Sequence, residues 1–149
     1  MPELPEVEIV KQSLNKSITG KIIKDILIKN RNLRFKIPKN FEKKIVKKKI
    51  IKVDRFSKHL ILKFEDSSYL MIHLGMSGTI HLINKSRKKN SITNTSFYHS
   101  PLLPKKHNHV EIKIDNFKLI YNDPRRFGYF SYFKSDEEIN NNLKKYGPE

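Results

Sequence analysis

The sequence contains no cysteine and no tryptophan, and only 15 acidic side chains among its 149 residues. The lack of cysteine excludes disulfides, zinc–thiolate sites and thiol nucleophiles. No apolar run approaches the roughly 18 residues of a membrane-spanning helix, and the start, Met-Pro-Glu-Leu-Pro-Glu, lacks the basic and then apolar layout of a secretory signal. These absences predict a soluble, cytoplasmic protein of about one domain, with no membrane partner.

Positive charge is what the sequence has in excess. Its 31 lysines and arginines against 15 acidic residues give a formal net charge of +16. This charge exceeds what solubility requires and indicates a polyanionic partner, with nucleic acid as the leading candidate. Two alternatives are an anionic membrane surface and the Lys, Asn and Ile bias of an A+T-rich genome. Such a bias should also raise Glu, which stays low.

The spacing of apolar residues predicts a mainly β fold. Val7, Val10, Leu14 and Ile18 recur at helical spacing and predict an N-terminal helix over residues 5–18, which Gly20 would end. Beyond it come eight short β-rich runs separated by turn residues: 22–28, 50–53, 59–64, 69–74, 79–83, 110–114, 117–121 and 129–133. The pattern predicts an antiparallel β-sandwich of about eight strands with an N-terminal helix and a short C-terminal helix.

Two polar segments complete the predicted organisation. Residues 84–108 hold too few apolar side chains to pack, which predicts a long mobile loop. Ser135 and the acidic residues after it predict a capped short helix that ends near Lys145, followed by a linker. The predicted domain therefore covers residues 1–134, and residues 135–149 form the short helix and the start of a linker.

The extreme N-terminus is the first of three candidate sites. Removal of Met1 would leave Pro2 with a secondary amine, and an α-amine has a pKa of about 7.7–8.0, well below that of lysine. Such an amine is a carbonyl-type nucleophile, and Glu3 or Glu6 beside it could move a proton or organise the helix start. The alternative is that proline and glutamate are ordinary helix-start residues.

The second candidate site combines Lys58 with the motif His73-Leu-Gly-Met-Ser-Gly. Lys58 and His73 each stand at a strand edge, where a cation or an imidazole can meet a phosphate. Two glycines flank a tight turn that presents Met76, which could act as a soft wedge in a base stack. The alternative for Met76 is packing in the core.

The third candidate site is the motif Asp-Pro-Arg-Arg-Phe-Gly, which contains Arg125, Arg126 and Phe127. Its proline and glycine bracket a rigid turn that would expose a guanidinium and an aromatic ring. These groups suit the hole that an extruded nucleotide leaves and the unpaired base opposite it. The alternative is a surface arginine pair beside a core phenylalanine.

Taken together, the motifs closely resemble one family. Their order along the chain is Pro-Glu-Leu-Pro-Glu-Val-Glu, Lys58 before His-Leu-Gly-Met-Ser-Gly, Lys-His-Asn-His-Val from residue 106, and Asp-Pro-Arg-Arg-Phe-Gly. This sequence resembles the bacterial formamidopyrimidine-DNA glycosylases, which remove 8-oxoguanine and ring-opened purines. Endonuclease VIII-like glycosylases rank second, because they typically carry Gly where Leu4 stands and lack the His-Leu-Gly-Met-Ser-Gly turn.

The resemblance implies a base excision repair enzyme with glycosylase and AP lyase activities. Pro2 would attack C1′ of the damaged nucleotide and form a Schiff base, from which β- and δ-elimination follow. Glu3 would be the proton donor and shuttle, and Glu6 would support the site. Lys58 completes this expected catalytic set and, with His73, matches positions that bind phosphates around the flipped nucleotide.

The resemblance also implies how DNA is held. Met76, Arg125 and Phe127 match the trio that enters the duplex, with Arg125 facing the orphaned cytosine, and Arg126 is expected beside them in the DNA-binding set. The expected partner is damaged double-stranded DNA in the bacterial cytoplasm, bound by a monomer. Base flipping and bending cost a few kcal/mol, which phosphate contacts must offset.

One departure from the family is large. Family members continue into a domain with a helix–two-turn–helix motif and usually a cysteine zinc finger, whereas this sequence stops at Glu149 and has no cysteine. No cofactor or metal is therefore expected in this chain. The expectation is the catalytic half of a two-domain enzyme, as a fragment, a split gene or a minimal protein with impaired activity. A non-catalytic DNA-binding fragment is the remaining alternative.

Overall fold

The computed structural model describes residues 4–84 and 106–146. Pro2, Glu3 and nearly all of the predicted loop at 84–108 lie outside the described residues. In chain order the elements are α1 (Leu4–Ile18), β1 (Ile23–Ile28), α2 (Phe41–Ile45), β2 (Ile50–Phe56), β3 (His59–Phe64), β4 (Tyr69–His73), β5 (Thr79–Asn84), β6 (Asn108–Ile114), β7 (Phe117–Asn122), β8 (Tyr129–Phe133) and α3 (Asp136–Leu143), followed by a 3-10 turn (Lys144–Tyr146).

The strands form two four-stranded antiparallel sheets, in the orders β1-β6-β7-β5 and β2-β3-β4-β8. One large apolar cluster draws buried residues from both sheets and from α1 and α2. The predicted class, eight antiparallel strands with an N-terminal helix and a short C-terminal helix, is confirmed.

Helix α1 packs on β2 through its predicted apolar face. Its four periodic side chains are fully buried: Val7, Val10, Leu14 and Ile18. Two polar contacts fix its direction along the strand: the Asn15 side chain accepts from the Val53 backbone at 2.9 Å, and Glu8 pairs with Arg55 at 2.7 Å. The N-terminus of α1 therefore points toward the turn between β2 and β3.

Helix α3 covers the outer face of the second sheet. Ser135 caps it by accepting from the Glu138 backbone at 3.2 Å, as the sequence predicted. Ile139 packs there against Ile61 and Met71 in a second, smaller apolar cluster. This cover explains why three successive residues of β3, Leu60, Ile61 and Leu62, are apolar, because both faces of the strand are buried there.

The segment between β1 and β2 was not predicted to contain an ordered element. The structure places there the five-residue helix α2, which buries Phe41 and Ile45. Arg31 braces the segment by donating to the Pro38 carbonyl at 2.8 Å and pairing with Glu42. Two apolar residues in a lysine-rich stretch are too few for a periodic signal.

Candidate nucleic-acid interface

Two turns lie side by side at one end of the sandwich. The β4–β5 turn (residues 74–78) is closed by a 2.9 Å hydrogen bond between its first carbonyl and its last backbone nitrogen. The β7–β8 turn (residues 123–128) contains the Asp-Pro-Arg-Arg-Phe-Gly motif. A Cβ atom on Gly75 would lie 2.6 Å from the Gly128 nitrogen, so the two backbones are in direct contact. Side chains from separate parts of the sequence are thereby brought together.

Met76, Arg125 and Phe127 form one exposed cluster on these turns. The Arg125 guanidinium lies 3.8 Å from the Met76 sulfur and 4.9 Å from the centre of the Phe127 ring. Met76 is 46% exposed and Phe127 is 40% exposed, which excludes the alternatives that placed them in the core. Arg126 is not part of this cluster, because its guanidinium donates to the Asn32 carbonyl at 3.2 Å.

A buried carboxylate joins the two turns. Asp123 is fully buried and accepts from the Ser77 hydroxyl at 2.5 Å, from the Gly128 backbone at 3.0 Å and from the Tyr121 hydroxyl. Burial, reinforced by that hydrogen bond to Asp123, raises the pKa of Tyr121. Asp123 therefore holds the Met76 turn and the Arg125 turn in one arrangement.

Beside the cluster lies an open cavity of about 660 Å³. One wall comes from residues 32–34, and the other walls come from His73, Gly75 and Met76 and from residues 125–127. The lining contains three arginines and no acidic side chain. A concave surface of this composition favours an anionic ligand.

His73 stands at the inner edge of this cavity as a neutral donor. Its Nδ1 atom accepts from the Gly75 backbone at 3.0 Å, which leaves the proton on Nε2. Its ring stacks on Tyr129, with centroids 5.1 Å apart, and Tyr129 bonds to His59 at 2.8 Å. Burial, together with the charge of neighbouring groups, lowers the pKa of His73 to about 4.

This depressed pKa predicts that acid weakens the fold. In the unfolded chain His73 takes up a proton near pH 6.5, whereas in the folded protein it does so only near pH 4. The free energy of unfolding should therefore be unaffected by His73 above pH 6.5 and should decrease as the pH drops toward 4. Urea unfolding at a series of pH values measures the slope. His73→Asn keeps an acceptor for the Gly75 backbone and should make the dependence of stability on pH less steep. Some dependence should remain, because burial also lowers the pKa values of His59 and His81. An unchanged slope in this variant would contradict the assignment.

Lys58 occupies the tight turn between β2 and β3, directly before His59. His59 is the residue of β3 that lies opposite His73 of β4. Its charge contributes to the low pKa of His73, so the two groups lie near one another. The N-terminus of α1 approaches this same turn, and Glu6 lies exposed in its first turn. The structure thus directs the helix start, Lys58 and His73 to one end of the sandwich.

Two features are absent from residues 4–84 and 106–146. No group of three or more His, Asp or Glu side chains is placed to hold a metal ion. No helix there is long and apolar enough to cross a membrane. The expectation of no cofactor stays a prediction.

Sequence reasoning missed two parts of the site. Residues 32–34, which form one cavity wall, lie in a segment with no periodic pattern, and only an arginine next to Phe35 could have drawn attention to them. Asp123 was recognised as part of a turn motif, but its burial and its bond to Ser77 follow from the meeting of two distant turns.

Comparison with known proteins agrees with these motifs. The family model described as the formamidopyrimidine-DNA glycosylase N-terminal domain matches residues 1–130. Formamidopyrimidine-DNA glycosylase of Legionella pneumophila (strain Philadelphia 1) is 35% identical over 150 aligned positions, covering 100% of this chain and 49% of the relative. That of Rickettsia bellii (strain OSU 85-389) is 39% identical over 137 positions, covering 91% and 45%. The chain spans about half the length of these relatives.

Solved structures give the same result. A mutant LlFpg in complex with a THF-containing DNA matches with a TM-score of 0.77 and 30% identity, over 97% of this chain and 47% of that one. Lactococcus lactis Fpg in complex with an abasic-site DNA matches with a TM-score of 0.77 and 29% identity, over 96% and 48%. Together with the matched family model, these likenesses show that the chain belongs to the formamidopyrimidine-DNA glycosylase N-terminal domain family.

Proposed function

We propose that this chain supplies the catalytic half of a bifunctional DNA glycosylase and AP lyase that removes oxidised purines such as 8-oxoguanine and formamidopyrimidines. The observation that carries the proposal is the exposed cluster of Met76, Arg125 and Phe127 at the rim of a basic cavity. Relatives named as formamidopyrimidine-DNA glycosylases, and neighbours solved with abasic-site or Fapy-dG DNA, support it.

The cluster fits the needs of base flipping. Met76 and Phe127 offer apolar surface that can replace the stacking of an extruded base, which otherwise costs a few kcal/mol. Arg125 lies between them and carries donors for the edge of the widowed base. Asp123 and the contact between the turns hold the three side chains ready before DNA binds, which lowers the cost of ordering them.

Phosphates around the extruded nucleotide would be bound by Lys58 and His73. Lys58 offers a compact positive charge, and His73 offers its Nε2 proton while the ring stays neutral. Arg126, whose guanidinium is already bonded to the Asn32 carbonyl, would contribute positive potential and support the cavity wall. These roles require DNA to lie across the end of the sandwich that the α1 N-terminus also approaches.

The proposed reaction begins once Met1 has been removed. The Pro2 nitrogen attacks C1′ of the damaged nucleotide, and the glycosidic bond breaks as the base leaves with a proton. The C1′–O4′ bond then breaks, a proton is delivered to O4′, and the opened sugar is left as an iminium on the proline nitrogen. This iminium is a Schiff base, which allows β-elimination of one phosphate and then δ-elimination of the other. Glu3 donates and shuttles protons, and Glu6 supports the helix start.

Borohydride trapping tests this chemistry directly. We expect the chain lacking Met1 to form a covalent adduct with a duplex that carries 8-oxoguanine opposite cytosine, because borohydride reduces the iminium to a stable amine. A sample that retains Met1 is the matched control and should give no adduct, since its proline nitrogen is part of a peptide bond. N-terminal mass spectrometry establishes which form is present.

If the chain lacking Met1 forms no adduct under conditions where a full-length relative does, the proposed chemistry is contradicted.

A second candidate function is a DNA-binding module without catalysis. It is favoured by the net charge of +16 in a chain that spans about half the length of its relatives. It predicts salt-sensitive binding with no lesion preference and no strand cleavage.

A further inference from the structure

The loop formed by residues 32–36 is an ordered segment to which the proposed function assigns no contact with DNA. A β-bridge joins Asn32 and Lys36, and the Arg31 carbonyl accepts from the Leu33 and Ile37 backbones at 3.0 and 2.9 Å. Leu33 is buried and anchors the loop. The following two side chains, Arg34 and Phe35, are exposed at its tip.

This loop is attached to the nucleic-acid interface at several points. The Arg34 backbone donates to the Gly128 carbonyl at 3.2 Å, and the Arg126 side chain donates to the Asn32 carbonyl. The Phe35 ring meets Tyr129 edge-on at 5.0 Å, and Tyr129 in turn stacks on His73. These contacts hold the loop against the turn that carries Arg125.

The Arg34 guanidinium has no hydrogen bond or ion pair with any residue the structure describes, and its nearest ring is Phe35 at 5.7 Å. Arg31, three positions earlier, is by contrast paired with Glu42 and the Pro38 carbonyl. Since a guanidinium carries five donors in a planar fork, Arg34 presents unused donors of the geometry that phosphate accepts.

The electrostatic surroundings also favour an anion beside Arg34. Arg34 and Lys58 both contribute, after burial and His59, to the low pKa of His73. Positive charge from two separate loops thus converges on one point at the cavity edge. No acidic side chain lines that cavity to balance it.

We propose that Arg34 is a DNA phosphate-binding residue that extends the interface beyond the inserting cluster and the Lys58 and His73 pair. Its fork would bind one backbone phosphate beside the β7–β8 turn, where the loop holds it through Gly128. This inference rests on the proposed function, because it takes duplex DNA as the ligand. It adds a contact from a segment whose sequence carries no recognised motif.

The salt dependence of duplex binding measures this contact. With a duplex containing a tetrahydrofuran abasic analogue as the probe, Arg34→Ala should weaken binding about tenfold and reduce the slope of log affinity against log salt by about one. Arg34→Lys should keep the slope but lose about threefold in affinity, because it retains the charge and loses the fork. The matched control is Lys113→Ala, which removes one exposed charge from the far end of β6 and should change both quantities less.

A second readout separates the local charge from any effect on folding. In an NMR titration of the free protein, Arg34→Ala should raise the pKa of His73, since one repelling charge is removed, while Lys113→Ala should leave it unchanged. If the wild-type protein binds the duplex and Arg34→Ala binds it as Lys113→Ala does, this inference is overturned and the proposed function stands. If Arg34→Ala loses binding but the wild-type protein forms no trapped adduct, only the proposed chemistry is contradicted. Wild type that does not bind the duplex overturns both.

Discussion

Asp123→Asn is expected to lower the free energy of unfolding by about 3 kcal/mol and to weaken duplex binding at least tenfold. The Asp123 carboxylate is fully buried and accepts from Ser77, Gly128 and Tyr121. An amide replaces one acceptor with a donor, so at least one of these groups meets a donor or is left unpaired. Denaturant unfolding and binding to a lesion-containing duplex measure the two effects.

Two single-partner variants provide the scale for this result. Ser77→Ala and Tyr121→Phe each remove one hydroxyl donor and leave the Asp123 carboxylate with its other partners. Each should cost about 1 kcal/mol, less than Asp123→Asn. If Asp123→Asn were as stable as wild type and bound DNA equally well, the carboxylate would not be what joins the two turns.

Gly75→Ala is expected to cost about 3 kcal/mol and to separate the β4–β5 turn from the β7–β8 turn. Gly75 has a φ of +68°, and its added Cβ would lie 2.6 Å from both the Gly128 nitrogen and the Phe127 carbonyl carbon. These are backbone atoms, so the contact can be relieved only by moving one turn. Met76 would then leave the Arg125 guanidinium, and duplex binding should fall with stability.

Gly20→Ala is the matched control for this variant. Gly20 has a φ of +84° at the end of α1, and its added Cβ would meet nothing within 4 Å. It therefore reports the cost of a left-handed backbone alone, about 1 kcal/mol, without a clash. Equal losses of stability in the two variants, with DNA binding kept in both, would contradict the view that close contact between the turns positions Met76.

Much of the local structure could be predicted from the sequence. The four buried residues of α1 stand at helical spacing, the β-rich runs coincide with strands, and Ser135 caps α3 as its position indicates. Local periodicity and capping suffice here because each element buries one face and its ends carry polar partners. Helix α2 escaped prediction because five residues are too few to show a period.

The site could be predicted only in part. The glycines at positions 75 and 128 indicate turns by their residue type alone. The sequence predicted that these turns expose Met76, Arg125 and Phe127, and all three side chains are exposed in the structure. Arg126 was grouped with them, but its side chain turns to Asn32. The direction of a side chain at a positive φ of 57° depends on the neighbouring segment, and sequence spacing carries no information about it.

The sequence by itself determined the charge of the protein, its eight-stranded antiparallel class and the residue types on the two turns, because composition, periodicity and turn chemistry are local properties. Only the tertiary structure decided which turns meet, that Asp123 is the buried group between them, and that Arg34 reaches the same cavity as His73. These contacts join segments far apart in the chain. Their partners are chosen by how the sheets pack, since many distant pairs satisfy the same local patterns.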